Sequence, residues 1–75
     1  MASHVRIKTF IYRINPKDDR EMQRCSIGSY TWSFVTRFNG YHILDLLLDE
    51  NGKDILVFTD RYTYVREYSG AIRQK

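Results

Sequence analysis

The apolar positions of this 75-residue chain fall in short runs separated by turn residues, and the densest of them lies over residues 30–58. Tyr30-Thr31-Trp32-Ser33-Phe34-Val35-Thr36-Arg37-Phe38 leads into Asn39-Gly40. Tyr41-His42-Ile43-Leu44-Asp45-Leu46-Leu47-Leu48 leads into Asp49-Glu50-Asn51-Gly52-Lys53, and Asp54-Ile55-Leu56-Val57-Phe58 follows. Aromatic and β-branched runs bounded by turn residues predict strands. Asn-Gly between two such runs predicts a two-residue hairpin turn, because both residues accept positive φ. The pattern therefore predicts a central three-stranded meander. Its first turn sets Phe38 opposite Tyr41, Thr36 opposite Ile43 and Trp32 opposite Leu47 on one face. On the other face it sets Val35 opposite Leu44 and Ser33 opposite Leu46. The second turn admits two registers. A three-residue loop with Gly52 left-handed puts Leu47 beside Ile55 and Leu44 beside Phe58; a two-residue turn at Asn51-Gly52 shifts that pairing by one. Ile43, Leu44, Leu47 and Leu48 also fit helical spacing, so a helix over residues 41–51 is the rival. The turn signal at each end favours the strand.

A sheet with one open face alternates apolar with polar. This meander is apolar on both faces near its middle, so the rest of the chain, a second copy or a partner has to cover it. Residues 5–14 predict a single strand, with Val5, Ile7, Thr9 and Ile11 on one face and Arg6, Lys8, Phe10, Tyr12 and Ile14 on the other. Its charges suit a sheet edge. Residues 15–19 either close a hairpin that returns through residues 21–27, or start a helix with Asn15 as N-cap and Pro16 at the first position. Gln23, Cys25 and Ile27 alternate with polar residues, which favours the hairpin. In residues 59–68 the Thr, Tyr and Val content favours strand, while Tyr62, Val65, Ser69 and Ile72 fit a short helix. Asp60-Arg61 marks a bend or bulge, Ser69-Gly70 breaks the pattern, and the basic tail 71–75 is expected to fray. The whole reads as one small β-rich domain: mainly β, or α+β, with a single antiparallel sheet or a small barrel of the SH3 or OB kind. A β-grasp-like sheet is the alternative.

Composition narrows the chemistry. Hydrophobic residues make up 43% and aromatics 15%, which argues against disorder. Twelve Lys and Arg against nine Asp and Glu leave a net charge of +3. That mildly basic balance permits nucleic acid or an acidic protein without selecting either. Cys25 stands alone, so there is neither an internal disulfide nor a cysteine-based metal site. A lone cysteine suits a reducing compartment, and an intracellular location, cytoplasmic or mitochondrial, is expected. Cys25 itself reads as a small buried apolar residue. No run reaches the roughly 18 apolar residues of a membrane span, and Met1-Ala2-Ser3-His4 has no apolar signal core. His4 and His42 lack a second histidine at ligand spacing, and His42 falls across from Arg37 in the expected hairpin, a poor setting for a metal. There is no Gly-rich phosphate loop, nucleophile elbow or kinase-type motif. Asp18-Asp19 and Asp49-Glu50 read as solvated turn residues, since an acid–base pair needs a pocket. The expectation is a protein that is not an enzyme, with no catalytic residue, metal, cofactor or small-molecule substrate.

One constellation carries functional weight: Tyr30, Trp32, Arg37, Phe38, Tyr41, Arg61, Tyr62, Tyr64, Arg66 and Tyr68. Tyr, Trp and Arg are enriched at interface hot spots. Aromatics beside arginines on a sheet also serve single-stranded nucleic acid binders. The candidate binding residues are Trp32, Arg37, Phe38, Tyr41, Arg61, Tyr62, Tyr64 and Arg66, with Trp32 expected in a core or an interface. Asp45, amid leucines, reads as an edge position or as an anchor for a basic group. The leading expectation is a non-catalytic protein-interaction module, an accessory subunit, adaptor or inhibitor, whose partner is another protein or a second copy. The alternative is a small basic binder of RNA or single-stranded DNA.

Arg6-Ile7-Lys8, Phe10, Ile11-Tyr12-Arg13, Asn15-Pro16 and Met22-Gln23 together resemble the opening hairpin of the iron–sulfur subunit of succinate dehydrogenase and fumarate reductase. The resemblance covers about 20 residues. It implies a β-grasp start, and it places Leu44, Asp45 and Leu47 at the beginning of a helix. That family's cluster cysteines are absent here, and Cys25 alone cannot hold an iron–sulfur cluster. The resemblance thus implies a structural relative without electron transfer and transfers no functional residue.

Overall fold

The computed structural model describes residues 4–75, and its eight elements are all strands. With no helix among the described residues, none is long and apolar enough to cross a membrane. The chain is mainly β, as its patterning predicts, but the strands form two four-stranded antiparallel sheets rather than one sheet or a closed barrel.

Val5 and Ile7 are buried while His4 and Arg6 face outward, the period-two pattern of a half-buried strand. This strand, β1 (His4–Ile7), ends sooner than expected. Lys8 takes a φ of 54° and folds the chain back into β2 (Phe10–Ile14), with Ile7 opposite Phe10 and Val5 opposite Tyr12. The single strand expected over residues 5–14 is therefore a hairpin. Its turn contains no Gly, Asn or Pro, so nothing local announces it. The reversal brings Val5, Ile7 and Tyr12 to one core face.

The hairpin expected over residues 15–27 forms. The Asn15 side chain accepts the Lys17 N–H at 2.9 Å and its carbonyl accepts the Asp18 N–H at 3.1 Å, turning the chain into β3 (Glu21–Ser26). The outer partner of β3 is β4 (Ser33–Arg37). Met22 faces Thr36 and Gln23 faces Phe34, so Val35 is left as the extra residue of a bulge.

The meander over residues 30–58 is where sequence and structure part. Asn39-Gly40 does turn the chain: Tyr41 N–H donates to the Phe38 carbonyl at 3.2 Å and Gly40 has a φ of 85°. But the flanking strands do not pair. Phe38 N–H goes to the Arg20 carbonyl and Ile43 N–H to the Asp19 carbonyl, each at 2.8 Å. The segment leaves one sheet and enters the other, so Trp32 does not face Leu47, nor Val35 Leu44. The physical reason is the two-sided apolar character of those runs. Placing them in different sheets lets Phe38 and Ile43 both reach the core, while Phe34 stays 64% exposed.

In the second sheet, β5 (Ile43–Leu48) is a strand, not the helix of the rival reading or of the iron–sulfur resemblance. It pairs with β6 (Ile55–Thr59) with Leu47 opposite Leu56 and Leu48 opposite Ile55, the shifted register of the two offered above. Gly52, at a φ of 73°, is left-handed as expected. Leu44 is skipped by the ladder, and this bulge turns it outward, 64% exposed. After a turn organised by the Thr59 hydroxyl comes β7 (Thr63–Arg66), which settles residues 59–68 as strand and loop. The tail expected to fray instead pairs with β7 as β8 (Ile72–Gln74). Between the sheets, Val5, Ile7, Tyr12 and Met22 meet Ile43, Leu46, Ile55 and Val57, with Phe38 joining at the crossover. Cys25 is a free, buried thiol.

Candidate binding surfaces

The aromatic–arginine set predicted as one surface is divided over the molecule. Phe38, Tyr41, Tyr62 and Tyr64 do come together. Ring centroids lie 4.8 Å apart for Phe38–Tyr64, 5.8 Å for Tyr41–Tyr62 and 6.3 Å for Tyr41–Tyr64. Phe38 belongs to the core, however, and Tyr41 and Tyr64 pack against it; Tyr62 alone of the four is exposed. Burial foremost, then the neighbouring Tyr41 and Tyr62, raises the Tyr64 phenol above its ordinary pKa. Arg37 turns to Asp18 at 3.1 Å, and Arg61 is exposed in the β6–β7 loop. Trp32 lies elsewhere, half-buried beneath the Arg13 guanidinium, 3.9 Å from the ring centroid, with His4 at 6.0 Å. Arg66 lies elsewhere again, inside the molecule.

His42 is not across from Arg37. Its Nδ1 sits 2.7 Å from Asp19 Oδ1, and its backbone exchanges hydrogen bonds with Asp60. The hydrogen bond to Asp19 first, and that carboxylate's charge second, raise the histidine's pKa above its ordinary value. Asp18 is pulled the other way, chiefly by the Arg20 N–H that it accepts. No three His, Cys, Asp or Glu side chains converge among the described residues. Asp45 occupies an edge strand, where its carboxylate accepts the Leu46 N–H at 2.8 Å.

Two concave features remain. One is a groove of about 520 Å³ at the seam of the two sheets, where β1 meets β5. Val5, Leu46, Leu47 and Leu48 line it, with Arg6 and Asp45 among its polar residues. Among the described residues β1 pairs only with β2 and β5 only with β6, so both strands are sheet edges.

The other is a cavity of about 260 Å³ beside the β1–β2 turn, lined by Lys8, Phe10, Tyr12, Arg24, Arg66 and Tyr68 among others. Here Tyr12 Oη accepts from Arg66 Nη1 at 3.0 Å and from Arg24 Nη1 at 3.3 Å. Arg24 lies over the Phe10 ring, 4.3 Å from its centroid, and Lys8 Nζ is 5.1 Å from that of Tyr68. Lys8, Tyr12 and Arg24 escaped the aromatic–arginine set, which spans residues 30–68. The 15–27 hairpin carried the signal, because its register puts Tyr12 opposite Arg24.

Neither the sequence nor the fold matches a protein-family model, a curated protein or a solved structure.

Proposed function

We propose that the protein is a non-catalytic protein-interaction module, an accessory subunit, adaptor or inhibitor, that receives an extended apolar segment of another protein in the seam groove. The observation that supports this is the pair of strand edges flanking an apolar floor. An extended peptide added to a free edge gains main-chain hydrogen bonds and places alternate side chains in the groove. Edges are ordinarily blunted by lysine, proline or short length. On β5 the Asp45 carboxylate covers one N–H, yet Leu44 and Leu47 stand 64% and 52% exposed. Arg6 and Asp45 supply charges of both signs for orienting the segment.

The nucleic-acid reading draws less support. Single-strand binders need open ring faces along a cationic groove. Here Arg13 covers Trp32, Arg24 covers Phe10, and Phe38 packs against Tyr64.

Leu47→Asp tests the proposal. At an exposed position the change leaves stability within about 0.5 kcal/mol in a urea melt, while partner binding falls by at least about 2 kcal/mol. Capture experiments with wild-type and variant baits, followed by binding measurements on the recovered protein, read this out. A partner held equally by both baits would remove the groove from the reading. Self-association lost in the variant, seen by light scattering, would make the occupant a second copy. A salt-sensitive gel shift with mixed oligonucleotides would restore the nucleic-acid alternative.

A further inference from the structure

Arg66 is 8% exposed, and its Nε is buried with no hydrogen-bond partner. Buried charges are normally paired, and each buried unsatisfied polar atom in a native fold calls for an explanation, an absent ion among them. The ion pairs among the described residues are Arg20 and Arg37 with Asp18, His42 with Asp19, and Arg73 with Glu67. None involves Arg66. The nearest acid in sequence, Glu67, is taken by Arg73 at 2.8 Å. The Tyr12 ring, 5.2 Å from the Arg66 guanidinium carbon, and the Tyr12 hydroxyl offset part of the burial cost and leave the charge unneutralised.

The surroundings add charge instead of cancelling it. Arg24 and Lys8 line the same cavity, and no carboxylate does. These three cations come from three separate elements: the β1–β2 turn, β3 and β7. Arg24 and Arg66 converge on Tyr12 Oη, and Lys8 Nζ lies at the Tyr68 ring. Tyr12 Oη accepts from two guanidinium groups, which directs its own proton elsewhere, and a hydroxyl proton is a donor too. A planar carboxylate carries one charge and two oxygens, and would leave two cations uncompensated. A phosphoryl monoester carries close to two charges near neutral pH and three terminal oxygens. Guanidinium forks suit those oxygens, and lysine serves as a point charge. Phe10 and Tyr68 also line the cavity, and their rings carry the Arg24 and Lys8 cations.

We propose that this cavity binds a phosphomonoester dianion, the group shared by a phosphorylated side chain and a small phosphate ester. The site stands on residues separate from the seam groove and does not depend on that groove being used.

The test is a titration of the full chain at low salt, followed by ¹H–¹⁵N NMR, with phenyl phosphate, benzoate and a phosphotyrosine peptide. Saturable shifts at Lys8, Arg24 and Arg66 are expected, with phenyl phosphate binding at least about tenfold tighter than benzoate. Arg24→Gln removes a charge-assisted contact from a half-buried position and should weaken phenyl phosphate about tenfold to a hundredfold. Arg61→Gln, an exposed arginine outside the cavity, should change nothing. Arg66→Met reports on the buried charge directly. Should that variant fail to fold, Arg24→Gln and Lys8→Gln still decide the matter. Tighter binding of the peptide than of phenyl phosphate assigns the group to a phosphorylated protein, and the reverse assigns it to a free ester. No saturable shift at millimolar phenyl phosphate, benzoate binding as well as phenyl phosphate, or equal losses in Arg24→Gln and Arg61→Gln would each overturn the proposal.

Discussion

Two Asn-Gly pairs occur in this chain, at residues 39–40 and 51–52, and both place glycine at positive φ. Only the second closes a hairpin. At Asn51-Gly52 the hydrogen bonds stay inside the loop, except that Asp54 Oδ1 also accepts the Tyr68 N–H at 3.0 Å. Asn51 Oδ1 accepts the N–H groups of Lys53 and Asp54 at 2.8 and 3.1 Å, and Asp49 N–H meets the Asp54 carbonyl at 2.8 Å. At Asn39-Gly40 the flanking bonds leave the segment for Asp19 and Arg20 in one sheet's loop and for Asp60 in the other's. A turn signal thus specifies a reversal of direction. Whether the arms then pair depends on what else competes for their edges and faces.

The largest expected effect breaks the first connection at its anchor. Phe38 lies just before Asn39-Gly40, buried in the core with its ring on Tyr64. Phe38→Ala should cost about 3–5 kcal/mol in urea denaturation, as buried aromatic truncations do. Leu48→Ala, before the second loop and 38% exposed, should cost less. Equal costs would show that Phe38 does not hold the crossover in place.

A smaller effect asks whether the two turns are locally alike. A Cβ built at Gly40 or Gly52 meets nothing within 4 Å, so only backbone strain opposes a side chain. Gly40→Ala and Gly52→Ala should each cost about 1–2 kcal/mol, the penalty of left-handed backbone for an L-residue. Thermal melts that separate the two by more than that range would mean that one turn is strained by its surroundings.

The smallest effect is confined to the crossover and is read through pH. The carboxylate of Asp19 raises the folded-state pKa of His42 above its ordinary 6.5; Asp60 assists and Arg20 opposes. Protons are then bound more tightly in the folded state. The stabilisation is fully present below the unfolded value and is lost as pH rises through the higher folded value. Wild type minus His42→Gln should therefore show a stability difference at pH 5 that fades by pH 8. A difference independent of pH would mean that the contact acts as a neutral hydrogen bond. The loop of Asn51-Gly52 contains no histidine and should show no such dependence.

Much of the strand content was legible from residue order alone. Alternation at Val5 and Ile7, the Asn15-Pro16 loop, the turn at Gly52 and the β-branched run over residues 55–59 are local facts, and local hydrogen bonds satisfy them. The turn at Lys8 was not legible, because a lysine at positive φ leaves no compositional mark. Nor was the pairing of residues 33–37 with β3 instead of β5. Two apolar-faced strands can pair side by side or pack face to face, and the hydrophobic effect, being non-directional, does not choose between them within one segment. The choice comes from the whole chain: with the two sheets separate, Met22, Ile55 and Val57 are completely buried. The same holds for the candidate sites. Asp45 could be read as an edge residue from its neighbours. That Arg66 lies buried beside Tyr12, 54 positions away in sequence, was decided by the packing of β7 over β2, because desolvation of a charge depends on everything that surrounds it and not on the residues beside it in the chain.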